Sequence, residues 1–365
     1  MKRCVSILII MILMIIGMEN VRAEMELEGK YVTLKDDKGK VIVRTAHQVS
    51  IGDEYLTSNN ELYRVVRVKD ETAAAKLVRK ERLEAESGTG FQALIKNLSQ
   101  MRAEVKGRGP IAIYHTHSDE SYVPTDGKSS QKGSGGIIKV GEALAKAFER
   151  NGVPVVHDKS AHDPHDALAY DRSRRTAAQL LKQRPACILD IHRDAVPREE
   201  YSKIINGKGV TKVQLVVGRE NPNFQANNDF AKQVKAIVDQ KHPGFIKGIF
   251  YGTGKYNQDL GPRTLLLEFG AHTNNRESAE RGAAIFADAA SSVLYGAAGA
   301  GFVNRGSLRS LFWIIAAVVG GIGLFLLINR GGLKDIGKEF TGAVGEERLE
   351  PEDEFNENKD NKDVP

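Results

Sequence analysis

The segment Ile111-Ala112-Ile113-Tyr114-His115-Thr116-His117-Ser118-Asp119-Glu120-Ser121-Tyr122 runs from an apolar stretch directly into potential metal ligands. Its first four residues predict a short buried strand. Two imidazoles and two carboxylates follow within the next six residues. A His-x-x-Glu spacing at the end of a strand can bring a nitrogen and a carboxylate oxygen onto one ion. A metal site there needs further ligands from elsewhere in the chain.

Strand and helix patterns alternate from residue 110 onward, and this alternation predicts the fold class. We expect strands at residues 111–114, 153–156, 186–191, 212–217 and 264–269, and helices at residues 135–151, 171–183, 227–241 and 276–298. Apolar strands separated by helices indicate an α/β domain, here 110–298, with a mostly parallel sheet covered by helices on both faces. Such sheets bind ligands at the carboxyl ends of their strands.

Three polar clusters follow apolar runs in this domain and supply a candidate site. They are His115 to Glu120, Asp190 to Asp194, and Glu268 at the end of Leu265-Leu266-Leu267. Two histidines and a carboxylate from separate strand ends make an open zinc site. We predict His117, Glu120 and His192 as the ligands of a Zn²⁺ ion, and Glu268 as the base that takes a proton from water.

Each of these residues also has a structural interpretation. A single histidine at a strand end is more often a hydrogen-bonded structural residue than a ligand. Glu268 could equally be half of a buried ion pair. His115 shares a strand face with His117 and is a weaker ligand candidate. The remaining histidines of the domain are expected in loops, most of them at the surface: His157, His162, His165, His242 and His272.

The segments outside the catalytic domain predict a small β domain and an exported protein. Residues 24–80 have short apolar runs with turn signals and predict β hairpins with a structural or docking role, followed by a linker at 81–109. Residues 1–23 are typical of a signal peptide or N-terminal anchor. Residues 311–328 carry no charge and predict a transmembrane helix. Residues 329–365 predict an acidic disordered tail.

Charge and cysteine content restrict the function classes. The formal net charge of +5 is modest and the basic residues are scattered, so nothing in the composition calls for a nucleic-acid partner. Cys4 lies in the predicted signal, which leaves Cys187 without an intrachain disulfide partner. Together with the predicted signal and span, this leads us to expect a protein of the cell membrane, attached through the C-terminal helix, whose catalytic domain lies outside the cytoplasmic membrane on the side of the cell wall.

The same three clusters resemble a known family. The runs Tyr114 to Tyr122, Leu189-Asp190-Ile191-His192-Arg193-Asp194 and Leu267-Glu268-Phe269-Gly270 are similar to stage II sporulation protein P. That family consists of cell-wall hydrolases of endospore-forming bacteria related to zinc-dependent N-acetylmuramoyl-L-alanine amidases. The resemblance implies cleavage of the amide between N-acetylmuramic acid and L-alanine in peptidoglycan, and also an endopeptidase action on cross-links. It further implies action in engulfment, with stage II sporulation proteins D and M as partners.

Carried over by position, the two amidase histidines fall on His117 and His192, and the catalytic glutamate falls on Glu268. The glutamate ligand departs from the amidase pattern, which places it near the start of the first helix, where this chain has Glu142. We assign Glu120 instead, because His-x-x-Glu followed by a distant His and Glu also resembles zinc carboxypeptidases. A zinc carboxypeptidase or endopeptidase is therefore one alternative, and a non-enzymatic scaffold that binds the wall is another.

Overall fold

The protein is described by a computed structural model that covers residues 27, 29–83, 109–166 and 168–295. The predicted signal at 1–23, the predicted span at 311–328, the predicted tail at 329–365 and most of the predicted linker lie outside the described residues. All described residues belong to one compact unit.

The described elements are thirteen strands and five α-helices. The strands are β1 Val32–Lys35, β2 Val41–Thr45, β3 Glu54–Thr57, β4 Glu61–Lys69, β5 Thr72–Lys80, β6 Ile111–Tyr114, β7 Val155–His157, β8 Cys187–Asp194, β9 Ser202–Ile205, β10 Lys208–Thr211, β11 Val213–Gly218, β12 Ile246–Gly252 and β13 Thr264–Ala271. The helices are α1 Val123–Asp126, α2 Gly136–Arg150, α3 Ala169–Leu181, α4 Phe224–Lys241 and α5 Arg276–Tyr295.

Eleven of the described strands form one sheet, in the order β2-β1-β5-β4-β3-β12-β11-β13-β8-β6-β7. In the C-terminal half, β7, β6, β8 and β13 run parallel, as do β11 and β12, with one antiparallel junction between β11 and β13. The N-terminal half is antiparallel except for the pair β1 and β5. The α/β prediction with a mostly parallel sheet holds for the C-terminal half.

The separate small β domain of the fold prediction is wrong, because its strands continue the main sheet. Strand β3 pairs antiparallel with β12, so that Leu56 lies opposite Ile249. At this junction Gly248 allows the close approach, since a Cβ there would lie 2.3 Å from the hydroxyl of Tyr55. Strand β12 was not among the expected strands, because Lys247 and Gly248 interrupt its apolar run.

The two faces of the sheet are covered differently. Helices α2, α4 and α5 cover one face, where β6, β8, β11, β12 and β13 contribute to the largest hydrophobic cluster. On the other face, α3 packs against β6 and β8. Strands β1 and β2 share a further cluster with Val216, Phe250 and Leu266 of the central strands. Helices therefore cover the first face as expected. On the second face a helix covers only one half, and the N-terminal strands cover the other half.

The expected transmembrane helix also requires correction. None of the helices in the part of the chain that the structure describes is long and apolar enough to cross a membrane. The physical reason is that each carries polar residues along its length; helix α5, for example, begins with Arg276 and Glu277 and continues with Glu280 and Arg281. Residues 311–328 themselves lie outside the described residues.

Candidate metal centre and catalytic carboxylate

His117, Glu120 and His192 come together at the carboxyl ends of β6 and β8. After β6 the chain turns, and the Glu120 amide donates to the carbonyl of His117 at 3.2 Å, which brings the two side chains to one side. Glu120 Oε1 lies 3.3 Å from Nδ1 of His117 and 3.2 Å from Nδ1 of His192. One donor atom from each of the three residues falls within 4.8 Å of the others, and all three residues are buried. Two imidazoles and one carboxylate in this arrangement can hold a metal ion.

Asp190 contacts the ring of His192 on the side away from Glu120. Its Oδ1 lies 3.0 Å from Nε2 of His192, and it accepts hydrogen bonds from the amide and the hydroxyl of Thr116 at 2.8 and 2.6 Å. A carboxylate on the far nitrogen of a histidine fixes the ring and leaves the other nitrogen for a metal. The Nδ1 atom of His192 is accordingly the one that faces Glu120.

The pKa values of His192 and Glu120 are shifted by oppositely charged neighbours. Burial alone would lower the pKa of His192, but the carboxylates of Asp190 and Glu120 outweigh it and hold the pKa well above its ordinary value. Burial opposes ionisation of Glu120, yet His192 and Arg193 lower its pKa to about 2. The Arg193 amide also donates to Glu120 Oε2 at 2.8 Å. Glu120 is therefore an ionised carboxylate held in a fixed orientation.

His117 borders a cleft through its neighbour His165. The two rings stack with centroids 3.9 Å apart. The pKa of His117 is lowered mainly by the burial of its ring and, to a smaller extent, by the electrostatic effect of His165. His165 Nδ1 lies 3.1 Å from Asp119, whose other carboxylate oxygen accepts a hydrogen bond from Ser130. A cavity of about 350 Å³ is lined here by His165, Ser130 and Arg193, among others. The cavity is thus separated from the cluster by His165 and Arg193, the neighbours of His117 and His192.

Glu268 lies on the strand next to His192, in direct register with it. Its Oε2 accepts hydrogen bonds from the Tyr201 hydroxyl at 2.7 Å and from the Gln214 amide at 2.5 Å. Its Oε1 lies 2.8 Å from Nε2 of His47. Glu268 is almost completely buried, and three polar side chains hold it in place. Glu268 thus lies on the strand next to one predicted ligand, His192, and also pairs with the buried His47.

His115 does not join the ligand cluster. Its Nδ1 lies 3.0 Å from the carbonyl of Ile191 and its Nε2 lies 2.8 Å from Nε2 of His157. A carbonyl can only accept, so Nδ1 of His115 carries the proton and Nε2 accepts from His157. Burial and His157 lower the pKa of His115 to about 3. Helix α2 passes closely over this pair at Gly141.

Other expectations for the histidines and for Glu142 can be compared with the structure. Glu142, the alternative ligand position, pairs with Lys159 at 2.5 Å on the surface of α2. His162 is buried, in contrast to the surface position expected for most loop histidines. Its Nδ1 lies 2.7 Å from the His115 carbonyl and its Nε2 lies 2.9 Å from the Thr176 hydroxyl. His162 therefore supports the backbone that leads to His117.

Sequence reasoning missed three of the side chains around Glu268. They are His47, Tyr201 and Gln214, which come from the loop after β2, from the segment before β9 and from β11. His47 carries no local signal, because it is a single histidine between short strands. Gln214 offered one weak signal, as a polar residue in the apolar run of β11.

Comparisons with known proteins extend the resemblance. Residues 25–291 match the family model described as Stage II sporulation protein P (SpoIIP). The chain belongs to the stage II sporulation protein P family. Stage II sporulation protein P of Bacillus subtilis (strain 168) is 32% identical over 206 residues, which cover 51% of each chain. The chain thus spans about half the length of this family member.

Two solved structures show weak likeness. The CwlD amidase from Clostridioides difficile, solved with the GerS lipoprotein, has a TM-score of 0.32 at 13% identity and covers 48% of this chain and 94% of its own. An N-acetylmuramoyl-L-alanine amidase from Clostridium difficile 630 has a TM-score of 0.31 at 15% identity, with coverages of 56% and 97%. Scores this low carry no argument about fold or activity.

Proposed function

We propose that this protein is a zinc-dependent cell-wall hydrolase that cleaves the amide between N-acetylmuramic acid and L-alanine of peptidoglycan stem peptides. The observation that carries this proposal is the convergence of His117, Glu120 and His192 beside Glu268 on the neighbouring strand. Membership of the stage II sporulation protein P family supports peptidoglycan as the substrate.

The donor set fits a zinc ion. His117 and His192 offer imidazole nitrogens, Glu120 offers a carboxylate oxygen, and three protein ligands leave a position open for water or substrate. What a bound zinc ion supplies is polarisation of the scissile carbonyl and a lowered pKa for a water molecule. Asp190 meets the requirement for an outer carboxylate that orients a ligand histidine.

Glu268 has the role of general base and then general acid. It accepts the proton of the attacking water through a carboxylate oxygen and returns that proton to the nitrogen of the leaving amine, so that the amide C–N bond breaks with a carboxylate and an amine as products. Its position in register with His192 places it within one strand spacing of a ligand. The 350 Å³ cavity lined by His165 and Arg193, the neighbours of His117 and His192, offers an approach for the substrate.

Family membership supports a proposal for the biological setting. We place the catalytic domain outside the cytoplasmic membrane, acting on peptidoglycan during engulfment in sporulation, with stage II sporulation proteins D and M as partners. Co-purification of these two proteins with the full chain from sporulating cells tests the partners, and their absence from the purified material contradicts them.

The catalytic proposal is tested with the purified full chain and isolated sacculi. We expect release of stem peptides that stops with a chelator, returns with zinc and is abolished in Glu268→Gln. Mass spectrometry of the products distinguishes the alternatives: free L-alanine amines identify an amidase, whereas cleavage within the stem identifies a carboxypeptidase or endopeptidase. If the protein binds sacculi tightly but releases no stem peptides and contains no metal, it is a scaffold, and this result overturns the proposal.

A further inference from the structure

The loop after β2 reaches the proposed catalytic carboxylate from the far end of the sequence. His47 lies in this loop and is almost completely buried, with its Nε2 2.8 Å from Glu268 Oε1. Its ring stacks on Phe250 at 5.2 Å between centroids and meets Tyr256 edge-on at 6.1 Å. The aromatic contacts fix the plane of the imidazole and keep its Nε2 next to one oxygen of Glu268.

The loop itself is fastened to the strand that carries His192. Asp194, at the end of β8, accepts a hydrogen bond from the Ala46 amide at 2.9 Å. Lys247 donates to the carbonyl of Arg44 at 2.9 Å and lies 3.5 Å from the second oxygen of Asp194. Residues of the central sheet therefore fix the backbone before His47 at two groups, the Arg44 carbonyl and the Ala46 amide.

The contacts of Glu268 divide unequally between its two oxygens. Oε2 accepts from both Tyr201 and Gln214, which fills both of its lone pairs. Among the described contacts, the close neighbour of Oε1 is Nε2 of His47, at 2.8 Å. Oε1 is therefore the oxygen that can accept a proton, and His47 sets its direction.

We propose that His47 is a positioning residue for the Glu268 carboxylate, so that the N-terminal strands complete the active site of the C-terminal half. This inference rests on the proposed function of Glu268 as the base. The His47 imidazole in close contact with Oε1 limits the directions in which the Glu268 carboxylate can turn. The N-terminal segment is thus part of the catalytic unit rather than a docking module.

Kinetics of the full chain on sacculi provide the test. We expect His47→Ala to lower kcat by about 10- to 100-fold with a smaller change in KM, and to leave the zinc content unchanged, as for other residues that orient a functional group. His47→Gln keeps a polar nitrogen in this side chain and should recover part of the loss, and added imidazole should rescue His47→Ala. His242→Ala, in a loop away from the site, is the matched control and should retain wild-type kcat.

The outcomes separate this inference from the proposed function. Wild-type kcat in His47→Ala overturns the role of His47 while the amidase proposal stands. If His47→Ala does not fold, equal kcat in His47→Gln and His47→Leu overturns it instead. The ¹⁵N chemical shift of the His47 ring provides a readout that does not depend on turnover. We expect this shift to differ between wild type and Glu268→Gln. Identical shifts overturn the inference even if no hydrolysis is detected.

Discussion

His192 and Glu268 are direct register partners on the adjacent parallel strands β8 and β13. Equivalent positions on neighbouring strands project to the same face of a sheet, about 4.8 Å apart. One strand end thus carries a proposed ligand and the next carries the proposed base, while Glu120 reaches both histidines from the turn after β6. The spacing between the proposed ligand His192 and the proposed base is therefore set by the pairing of two strands.

The choice of Glu120 as the ligand can be tested by metal content. Glu120→Ala should lose bound zinc almost completely, because it removes one of three protein ligands and leaves Arg193 beside two histidines. Glu142→Ala is the matched control, since Glu142 only pairs with Lys159 at the surface. Elemental analysis of both purified variants decides the question. Loss of zinc from Glu142→Ala with retention in Glu120→Ala would contradict the assignment.

Asp190 should influence metal binding without contacting the metal. In Asp190→Asn the charge beside His192 Nε2 disappears, so the ring is less firmly oriented and less basic. We expect zinc affinity to fall by about 10- to 100-fold. Competition with a chromogenic chelator measures the change, and Asp259→Asn, which alters a surface pair with Arg174, serves as control. Equal affinities in the two variants would show that Asp190 has no such role.

The junction between the N-terminal strands and the central sheet should depend on Gly248. Gly248→Ala places a Cβ 2.3 Å from the Tyr55 hydroxyl and 2.7 Å from the Leu56 carbonyl, so β3 must move away from β12. Overpacking of this kind lowers the free energy of unfolding by about 1 to 3 kcal/mol. Gly209→Ala is the control, because the nearest atom to its new Cβ is 4.0 Å away. Chemical denaturation should rank the two variants, and equal stabilities would contradict the close contact.

His157 should make the protein less stable in mild acid. Burial lowers its pKa from 6.5 to about 4 in the folded state, with Lys159 adding to the effect and Glu142 and Asp158 opposing it. Between these two values the unfolded chain binds a proton that the folded chain does not, so stability decreases as the pH falls from about 6.5 to about 4.

A comparison of variants isolates this effect. His157→Gln cannot titrate but keeps an N–H donor for His115 Nε2. Its free energy of unfolding should therefore fall less steeply over the same pH interval, by an amount on the order of 2 kcal/mol. Denaturant titrations at pH 7 and pH 4.5 measure the difference. Parallel pH profiles for the two proteins would exclude His157 as the source.

Much of the C-terminal half could be predicted from the sequence. The apolar runs of β6, β8 and β13 and the amphipathic repeat of α2 are local signals, and each element lies within a few residues of its expected position. The three polar clusters could be joined because strand ends of a parallel sheet meet at one edge. The assembly of His117, Glu120 and His192 followed from that rule.

The contribution of the N-terminal strands could not be predicted in the same way. Their pairing with β12 depends on Gly248, which looks like an interruption of a strand rather than a point of close contact. The approach of His47 to Glu268 depends on an Asp194 bond to a residue 148 positions away. Contacts between residues so far apart in the sequence produce no periodic pattern of apolar residues. The role of His47 therefore could not be predicted from its surroundings in the sequence.

The fastening of the loop after β2 has a consequence for the order of folding. Strand β3 has no partner on its sheet edge until β12 exists, and the Ala46 amide has none until β8 is in place. Closing loops of this length is slow, because their entropy is lost before the contacts form. The environment of the Glu268 carboxylate can therefore be completed only after synthesis has passed residue 268.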